Sequence, residues 1–255
     1  MKLALYQGPP IQGDIEAGFD RIKAQLGAAA LAGARMAVFP ELFLPGYNRP
    51  DLHSSLSQPL GGAWCERLGA LARDAGCGLT LGWAERDGDL VYNAATTFGP
   101  DGAILGHYRK IQLFGPMEQQ SFAFGSSYTI FDYAGHKTAL MICYDVEFAH
   151  HVKALADQGV TLILVPTANP AGFEHVSTAI VPSQASAYAL TIAYANFCGA
   201  ENGLTFGGHS VIVGPDATAL AAANTTETLL VTDIAKAYDP ALLSTQSADY
   251  REVPE

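Results

Sequence analysis

Twice along this chain the same order of signals recurs: helix, glycine, short apolar strand, proline, polar loop. It runs once from Ala32-Gly33 to Glu41 and again from Gln158-Gly159 to Asn169. The strand segments, Met36 to Phe39 and Val160 to Val165, are apolar almost throughout, which marks strands buried on both faces. Pro40 and Pro166 stop them. A repeat of this kind predicts two similar α/β halves packed face to face, each placing a polar residue just beyond a strand end.

A third strand end carries the most reactive side chain. Leu140-Met141-Ile142 runs into Cys143, and the polar, helix-starting Tyr144-Asp145-Val146-Glu147-Phe148 follows at once. A cysteine at such a corner stands at the sheet edge with the first free N–H groups of a helix aimed at it. That favours a thiolate and any oxyanion beside it. A lone cysteine is otherwise most often buried and structural. Cys65, Cys77 and Cys198, which form no CxxC pair or metal-like spacing, are read that way.

The remaining chain alternates helix and strand. Residues 2 to 7 form a first strand. Ile15, Phe19, Ile22 and Leu26 define one face of a helix from about Asp14 to Leu31, and Trp64, Leu68 and Leu71 another from about Gly62 to Ala75. Turns at Asp87-Gly88-Asp89 and Pro100-Asp101-Gly102 fold Gly78–Trp83, Leu90–Phe98 and Ala103–Tyr108 into an antiparallel meander. From Arg109 to Ser127 periodicity fails, predicting a long loop that holds Lys110, Phe114, Glu118 and Gly125. A hairpin around Ala134-Gly135-His136 feeds the strand before Cys143, and a helix runs on to about Asp157. A helix over about Ser177 to Ala189, strands at 190–197, 209–213 and 228–234, and a tail from 235 to 255 with one helical turn complete the chain. No linker divides it, so residues 1 to 255 are expected to form one domain.

Charge and hydropathy exclude whole classes of partner. The chain has 14 basic and 25 acidic residues, a net charge of −11, with 49% hydrophobic and 15% charged residues. Such a chain folds around a large core and repels nucleic acid. The N-terminus lacks a signal-peptide pattern, and no run of about 18 apolar residues marks a membrane helix. A cytoplasmic protein with reduced thiols is expected. His150-His151 do not suggest a metal site, because neighbours on a helix point about 100° apart. A solvated or capping pair is the plainer expectation. Trp64 and Trp83 read as core, whereas Tyr47, Asn169, Phe173 and His209 stand near strand ends or loop edges as candidate pocket residues.

Glu41, Lys110 and Cys143 now occupy comparable places. A carboxylate, an ammonium and a thiol together can run acyl transfer: the base deprotonates the thiol, the thiolate attacks a carbonyl, and the cation with a backbone N–H holds the oxyanion. Their contexts are Phe39-Pro40-Glu41-Leu42-Phe43-Leu44-Pro45-Gly46-Tyr47, Tyr108-Arg109-Lys110-Ile111-Gln112-Leu113-Phe114-Gly115 and Cys143-Tyr144-Asp145-Val146-Glu147-Phe148. In that order they resemble the three signature segments of the nitrilase, or carbon–nitrogen hydrolase, superfamily, and the resemblance extends to about Pro215.

The resemblance implies an α/β fold, a four-layer α-β-β-α sandwich of two mixed sheets with helices outside, paired into a homodimer or higher homo-oligomer. It implies Glu41 as general base, Lys110 as oxyanion-stabilising cation, Cys143 as nucleophile with the Tyr144 N–H as second donor, and Glu118 as a second glutamate that steadies the lysine. No metal or organic cofactor is implied. Two segments depart from the pattern: Phe148-Ala149-His150 where many members have Phe-Pro-Glu, and Gln184-Ala185-Ser186-Ala187-Tyr188 where they have Arg-Ala-x-Glu-Asn. Both concern helix contacts and oligomer geometry more than chemistry.

Cys143-Tyr144-Asp145 is similar to the amide-cleaving branches rather than the Cys-Trp-Glu of nitrile-cleaving members, and the longer segment resembles the stereoselective (R)-amidases acting on amino-acid-type amides. Glu147, one turn from the nucleophile, would favour a neutral or amine-bearing substrate; alternatively it only stabilises the helix N-terminus, worth roughly 0.3–1 kcal/mol. The expectation is an amidase that takes a small non-peptide amide through a thioester. N-carbamoyl-amine hydrolase, ω-amidase and nitrilase activities are the nearest alternatives, and a binding protein without turnover is the alternative from another class. An activated Cys143 would react with iodoacetamide well below the ordinary thiol value of about 8.5.

Overall fold

The computed structural model describes residues 1–235 and 237–253. In chain order its elements are β1 (Lys2–Gln7), α1 (Ile15–Leu31), β2 (Met36–Val38), α2 (Pro50–Leu56), α3 (Ala63–Ala75), β3 (Gly78–Asp87), β4 (Leu90–Phe98), β5 (Ile104–Arg109) and α4 (Gly115–Ser121). The second half continues with β6 (Thr129–Tyr133), β7 (His136–Leu140), α5 (Ala149–Asp157), β8 (Leu162–Pro166), α6 (Val181–Ala187), β9 (Thr191–Ala195), the small pair β10 (Ala200–Glu201) and β11 (Leu204–Thr205), β12 (Val211–Val213), β13 (Ala219–Ala222), β14 (Thr228–Asp233) and α7 (Gln246–Asp249).

Two six-stranded sheets result, ordered β14-β1-β2-β3-β4-β5 and β13-β12-β9-β8-β7-β6. Their centres are parallel, β1-β2-β3 in one and β7-β8-β9 in the other, and their outer strands are antiparallel. This is the face-to-face duplication that the recurring helix-glycine-strand-proline order implies. Alternate side chains of each strand divide the interior into three apolar layers. Leu3, Leu5 and Val38 meet Leu140, Leu162 and Leu164 between the sheets. Ala4, Tyr6 and Phe39 face Phe19, Ile22 and Leu68 of the helices outside the first sheet, while Ile163, Val165 and Ile192 face Val152, Leu155 and Ala185 outside the second. The architecture is an α-β-β-α sandwich.

Helix ends follow local chemistry. Asp14 caps α1 by accepting from the N–H of Ala17 at 3.0 Å, and Gly76 closes α3 in the left-handed region that glycine adopts without strain. Several expectations need correction. The 109–127 stretch is not all loop: Pro116 at its first turn starts the short helix α4, too brief for periodicity to register. No helix runs from Cys143 to Asp157; one 3₁₀ turn spans Cys143–Glu147, Phe148 turns extended, and α5 begins at Ala149. The helix expected over 177–189 opens with a wider turn, Val176–Ile180, before α6. The tail contains a 3₁₀ turn at Pro240–Leu242 as well as α7; residues 236, 254 and 255 of that predicted tail lie outside the described residues. No helix among the described residues is long and apolar enough to cross a membrane.

Candidate active site

The carboxyl ends of the parallel strands from both sheets converge on one buried place. Three residues past β2, Glu41 donates its backbone N–H to the carbonyl of Thr167, just past β8, at 3.3 Å. The equivalent loops of the two halves therefore touch. Gly82 of β3 passes directly beneath: a Cβ there would lie 2.5 Å from the Cα of Glu41, so only glycine lets the strand and the loop approach.

Lys110 follows β5 directly. Its N–H donates to the Asn93 carbonyl at 2.8 Å, and its carbonyl accepts from the N–H of Gly125 at 2.7 Å. Arg109 and Lys110 leave opposite faces of β5, which is why neighbours in sequence join different clusters.

Lys110 Nζ donates to Glu41 Oε1 at 2.6 Å and to Glu118 Oε1 at 2.8 Å, and all three side chains are fully buried. The two carboxylates are unlike. Glu118 is saturated: Oε1 also accepts from the hydroxyl of Tyr47 at 2.7 Å, and Oε2 from the N–H of Phe114 at 3.0 Å. Glu41 Oε1 takes a second donor, Asn93 Nδ2, at 2.7 Å, but Oε2 is buried with no partner. Burial pushes the Glu41 carboxyl up to about 7, against the pull of Lys110 and with the help of Glu118. Burial alone would lower Lys110, but Glu118 and Glu41 outweigh it and hold it above the ordinary lysine value, so it stays cationic. One group is poised to exchange a proton near neutrality, and its neighbour is fixed as a charge.

Cys143 sits beside this cluster with a backbone φ of +45°, a strained value for a residue with a Cβ. Its thiol differs from expectation. Burial, and then the Glu41 carboxylate, push it well above the ordinary cysteine value, with Lys110 opposing. A five-residue 3₁₀ turn supplies little of the expected helix field.

Asp145 builds the turn: it accepts from the N–H of Ile142 at 3.0 Å, the N–H of Gln112 at 2.8 Å and the hydroxyl of Tyr108 at 2.8 Å. This carboxylate locks the Cys143 turn to the segment that carries Lys110. Burial raises it to about 6, partly offset by Lys110 and these donors.

The other pocket candidates divide. Tyr47 is buried and its hydroxyl is committed to Glu118, so it braces the cluster. Asn169 is buried and holds the Phe173 carbonyl at 2.8 Å, while Asn196 clamps its backbone. Tyr144 and Phe173 both meet Phe114 edge-on, at 5.2 and 5.9 Å between ring centroids, and Tyr144 meets Phe148 at 4.8 Å. These rings form an aromatic wall. Glu147 is half-buried; burial raises its carboxyl, and His175 and Lys110 lower it. His209 is also half-buried, at φ +53°.

His151 is not a solvated side chain. Its ring nitrogens meet the Tyr128 hydroxyl at 2.7 Å and Gln112 Nε2 at 2.9 Å. Trp64 and Trp83 are core residues packed edge-on, and Cys65, Cys77 and Cys198 are buried and unpaired.

Asn93, Asp145, Tyr108, Thr167 and Asn196 were not singled out from sequence, although all touch the site or its supports. Only Asp145, two residues past Cys143, carries a local signal. Among the described residues no three His, Cys, Asp or Glu side chains are grouped to hold a metal ion.

Residues 2–239 match the model of the carbon-nitrogen hydrolase family. The chain belongs to that family. It is accordingly a hydrolase of carbon–nitrogen bonds. This carbon-nitrogen hydrolase is 32% identical to a nitrilase from Pyrococcus abyssi over 89% of its own length and 86% of the relative's. It is 29% identical to an (R)-stereoselective amidase from a Pseudomonas species over 84% and 78%. Among solved structures, an amidase from Nesterenkonia sp. AN1 superposes with a TM-score of 0.88 at 34% identity, covering 92% of this chain and 93% of that one. Structures of the Nesterenkonia amidase carry acrylamide or the acetamide moiety of fluoroacetamide on its active-site cysteine, and another holds butyramide.

Proposed function

We propose that this carbon-nitrogen hydrolase is an amidase whose nucleophile is Cys143 and whose single general base is Glu41. The observation that carries the reading is the asymmetry of the two buried carboxylates: Glu118 has donors on both oxygens, whereas Glu41 keeps Oε2 without a partner and titrates near 7. A base needs a free lone pair and a matched proton affinity, and only Glu41 has both.

Glu41 takes the thiol proton as the sulfur attacks the amide carbonyl and a carbon–sulfur bond forms. Lys110 and the backbone N–H of Tyr144 stabilise the oxyanion. Collapse breaks the carbon–nitrogen bond, and protonated Glu41 hands its proton to the departing nitrogen, which leaves as ammonia or an amine. Water then gives a proton to Glu41 as its oxygen adds to the thioester. Breaking the carbon–sulfur bond releases the carboxylic acid, and the proton on Glu41 restores the thiol. Glu118 holds Lys110 throughout, and Tyr47 and Asn169 keep the surrounding loops in place.

A small acyl group fits the buried nucleophile and the aromatic wall of Phe114, Tyr144, Phe148 and Phe173, and the small amides bound by the Nesterenkonia relative support that scale. Glu147 favours an amine-bearing member of this class. Glu147→Gln raises KM for amine-bearing amides alone; an equal rise for neutral amides would reject that role. Cys143 followed by Tyr144-Asp145 favours amides over nitriles, and ammonia release over a panel of amides, carbamoyl amines and nitriles decides between them. A binding protein without turnover would release none from any of them.

The chain acts as one catalytic domain, in the cytoplasm, where four unpaired cysteines suit a reducing environment. It assembles as a homodimer or larger homo-oligomer; a sedimentation mass equal to one chain of 26.9 kDa would reject this.

A further inference from the structure

Two buried hydroxyls beneath the nucleophile have no role in the steps above. Val165 of β8 pairs with Tyr194 of β9. Side chains paired across strands leave the same face, and Thr167, two residues beyond Val165, leaves it too. Both Thr167 and Tyr194 are fully buried, at the strand ends that carry the nucleophile's turn. The Tyr194 hydroxyl lies against Thr167, and the Thr167 hydroxyl lies against the Cys143 sulfur. Neither oxygen completes a well-formed hydrogen bond in the resting protein.

A buried hydroxyl left without a partner destabilises the folded chain. Two of them stacked toward one sulfur is an arrangement that becomes satisfied when an acceptor stronger than a thiol appears there. Catalytic hydrogen bonds are commonly long at rest and tighten when charge develops.

Resting on the reading of Cys143 as nucleophile, we propose that Thr167 and Tyr194 form a two-hydroxyl relay that donates to the Cys143 thiolate, with Thr167 in contact and Tyr194 as a positioning residue behind it. As Glu41 removes the thiol proton, the Thr167 O–H turns its hydrogen to the sulfur, and the Tyr194 O–H donates to the lone pair that Thr167 exposes. No bond to carbon forms and no proton leaves either hydroxyl. At rest the Glu41 carboxylate disfavours a negative charge on the sulfur; once Glu41 has taken the proton it is neutral, and the relay then acts with Lys110 on the thiolate. The other titratable groups around the sulfur are Lys110 after β5, Tyr47 from the loop after β2 and Glu147 on the same turn, with Glu118 behind the lysine. None of these offers the sulfur a neutral O–H from below.

The test is the pH profile of Cys143 alkylation by iodoacetamide, followed by peptide mass, with kcat and KM on a small amide. Thr167→Val moves the alkylation profile to higher pH, slows alkylation at pH 8 about tenfold, and lowers kcat with KM little changed. Thr167→Ser restores both, and Tyr194→Phe gives a shift of the same sign, about threefold. A Thr167→Val profile that superimposes on wild type, or a Ser variant as impaired as the Val variant, overturns the relay. Cys143→Ala separates the two claims. If it still releases ammonia, the nucleophile assignment fails; if it is inactive while Thr167→Val behaves as wild type, only the relay fails.

Discussion

Two ion clusters, each built on a buried carboxylate, sit back to back at the end of β5, one on each face, and they resolve the same physical problem in opposite ways. On the outer face Glu85 accepts from Arg109 Nε at 2.7 Å and Nη2 at 2.6 Å, with His107 Nε2 at 2.9 Å; Asp87 shares Arg109 at 2.8 Å. Burial opposes the Glu85 charge, but the donors from His107 and Arg109 win and hold it down to about 2. On the inner face Glu41 shares one lysine with a second carboxylate, keeps one oxygen unpartnered, and is pushed up to about 7. A saturated buried carboxylate is fixed as an anion and holds strands together. One left a donor short can still take a proton.

The largest expected effects break the inner cluster. On the proposed mechanism Cys143→Ala lowers kcat by on the order of 10⁶, the scale seen when a covalent catalytic unit loses its attacking group. Glu41→Gln lowers it by about 10²–10⁴, with no loss of Tm, because the amide replaces a carboxylate that burial disfavours. Rates from ammonia release and melting curves check both. Lys110→Met abolishes activity and also costs stability, roughly 3–5 kcal/mol, since two buried carboxylates lose their shared cation.

Breaking the outer cluster reverses the balance. Arg109→Met costs roughly 1–3 kcal/mol, reduced because Arg109 is partly exposed and His107 still serves Glu85. Its kcat stays within a few-fold of wild type. A loss of activity as large as that of Glu41→Gln would end the distinction between the two faces.

The smallest effects concern pH. On the proposed mechanism Glu41 must be ionised to act as base, so kcat/KM rises with pH through about 7. Its folded value lies above the ordinary carboxyl value of 4.5, so its contribution to stability is present at acid pH and fades between about 4.5 and 7. Glu85 has the opposite sign. Its folded value of about 2 lies below 4.5, so its contribution is present above about 4.5 and is lost as pH falls toward 2. Arg109→Met flattens the acid limb of a stability–pH curve and leaves the rise of kcat/KM in place.

The comparison also explains what the sequence made legible. The strands and the two long helices follow from apolar runs, turn residues and helical spacing, and the duplicated halves from the repeated glycine-strand-proline order. Glu41, Lys110 and Cys143 stand out because each lies beside a strand end in a recognisable segment. Asn93 does not, because a single asparagine in an otherwise ordinary strand gives no sign that it faces a carboxylate 52 positions away. Helix α4 is seven residues long and leaves no periodic trace, and Asp145 reads as a helix-start acid although its three donors come from different places. The upward push on the Cys143 thiol leaves no trace in the local sequence, because burial is a tertiary property.

The most direct test of Cys143 as nucleophile and Glu41 as base is intact-protein mass spectrometry during turnover of a panel of small amides, on wild type, Glu41→Gln and Cys143→Ala. Wild type should gain the mass of the acyl group on Cys143 transiently while releasing ammonia, and Cys143→Ala should show neither. Glu41→Gln should release ammonia slowly, and any acyl adduct it forms should persist. An unmodified wild type that still releases ammonia, or a Cys143→Ala protein that turns over, would contradict the account.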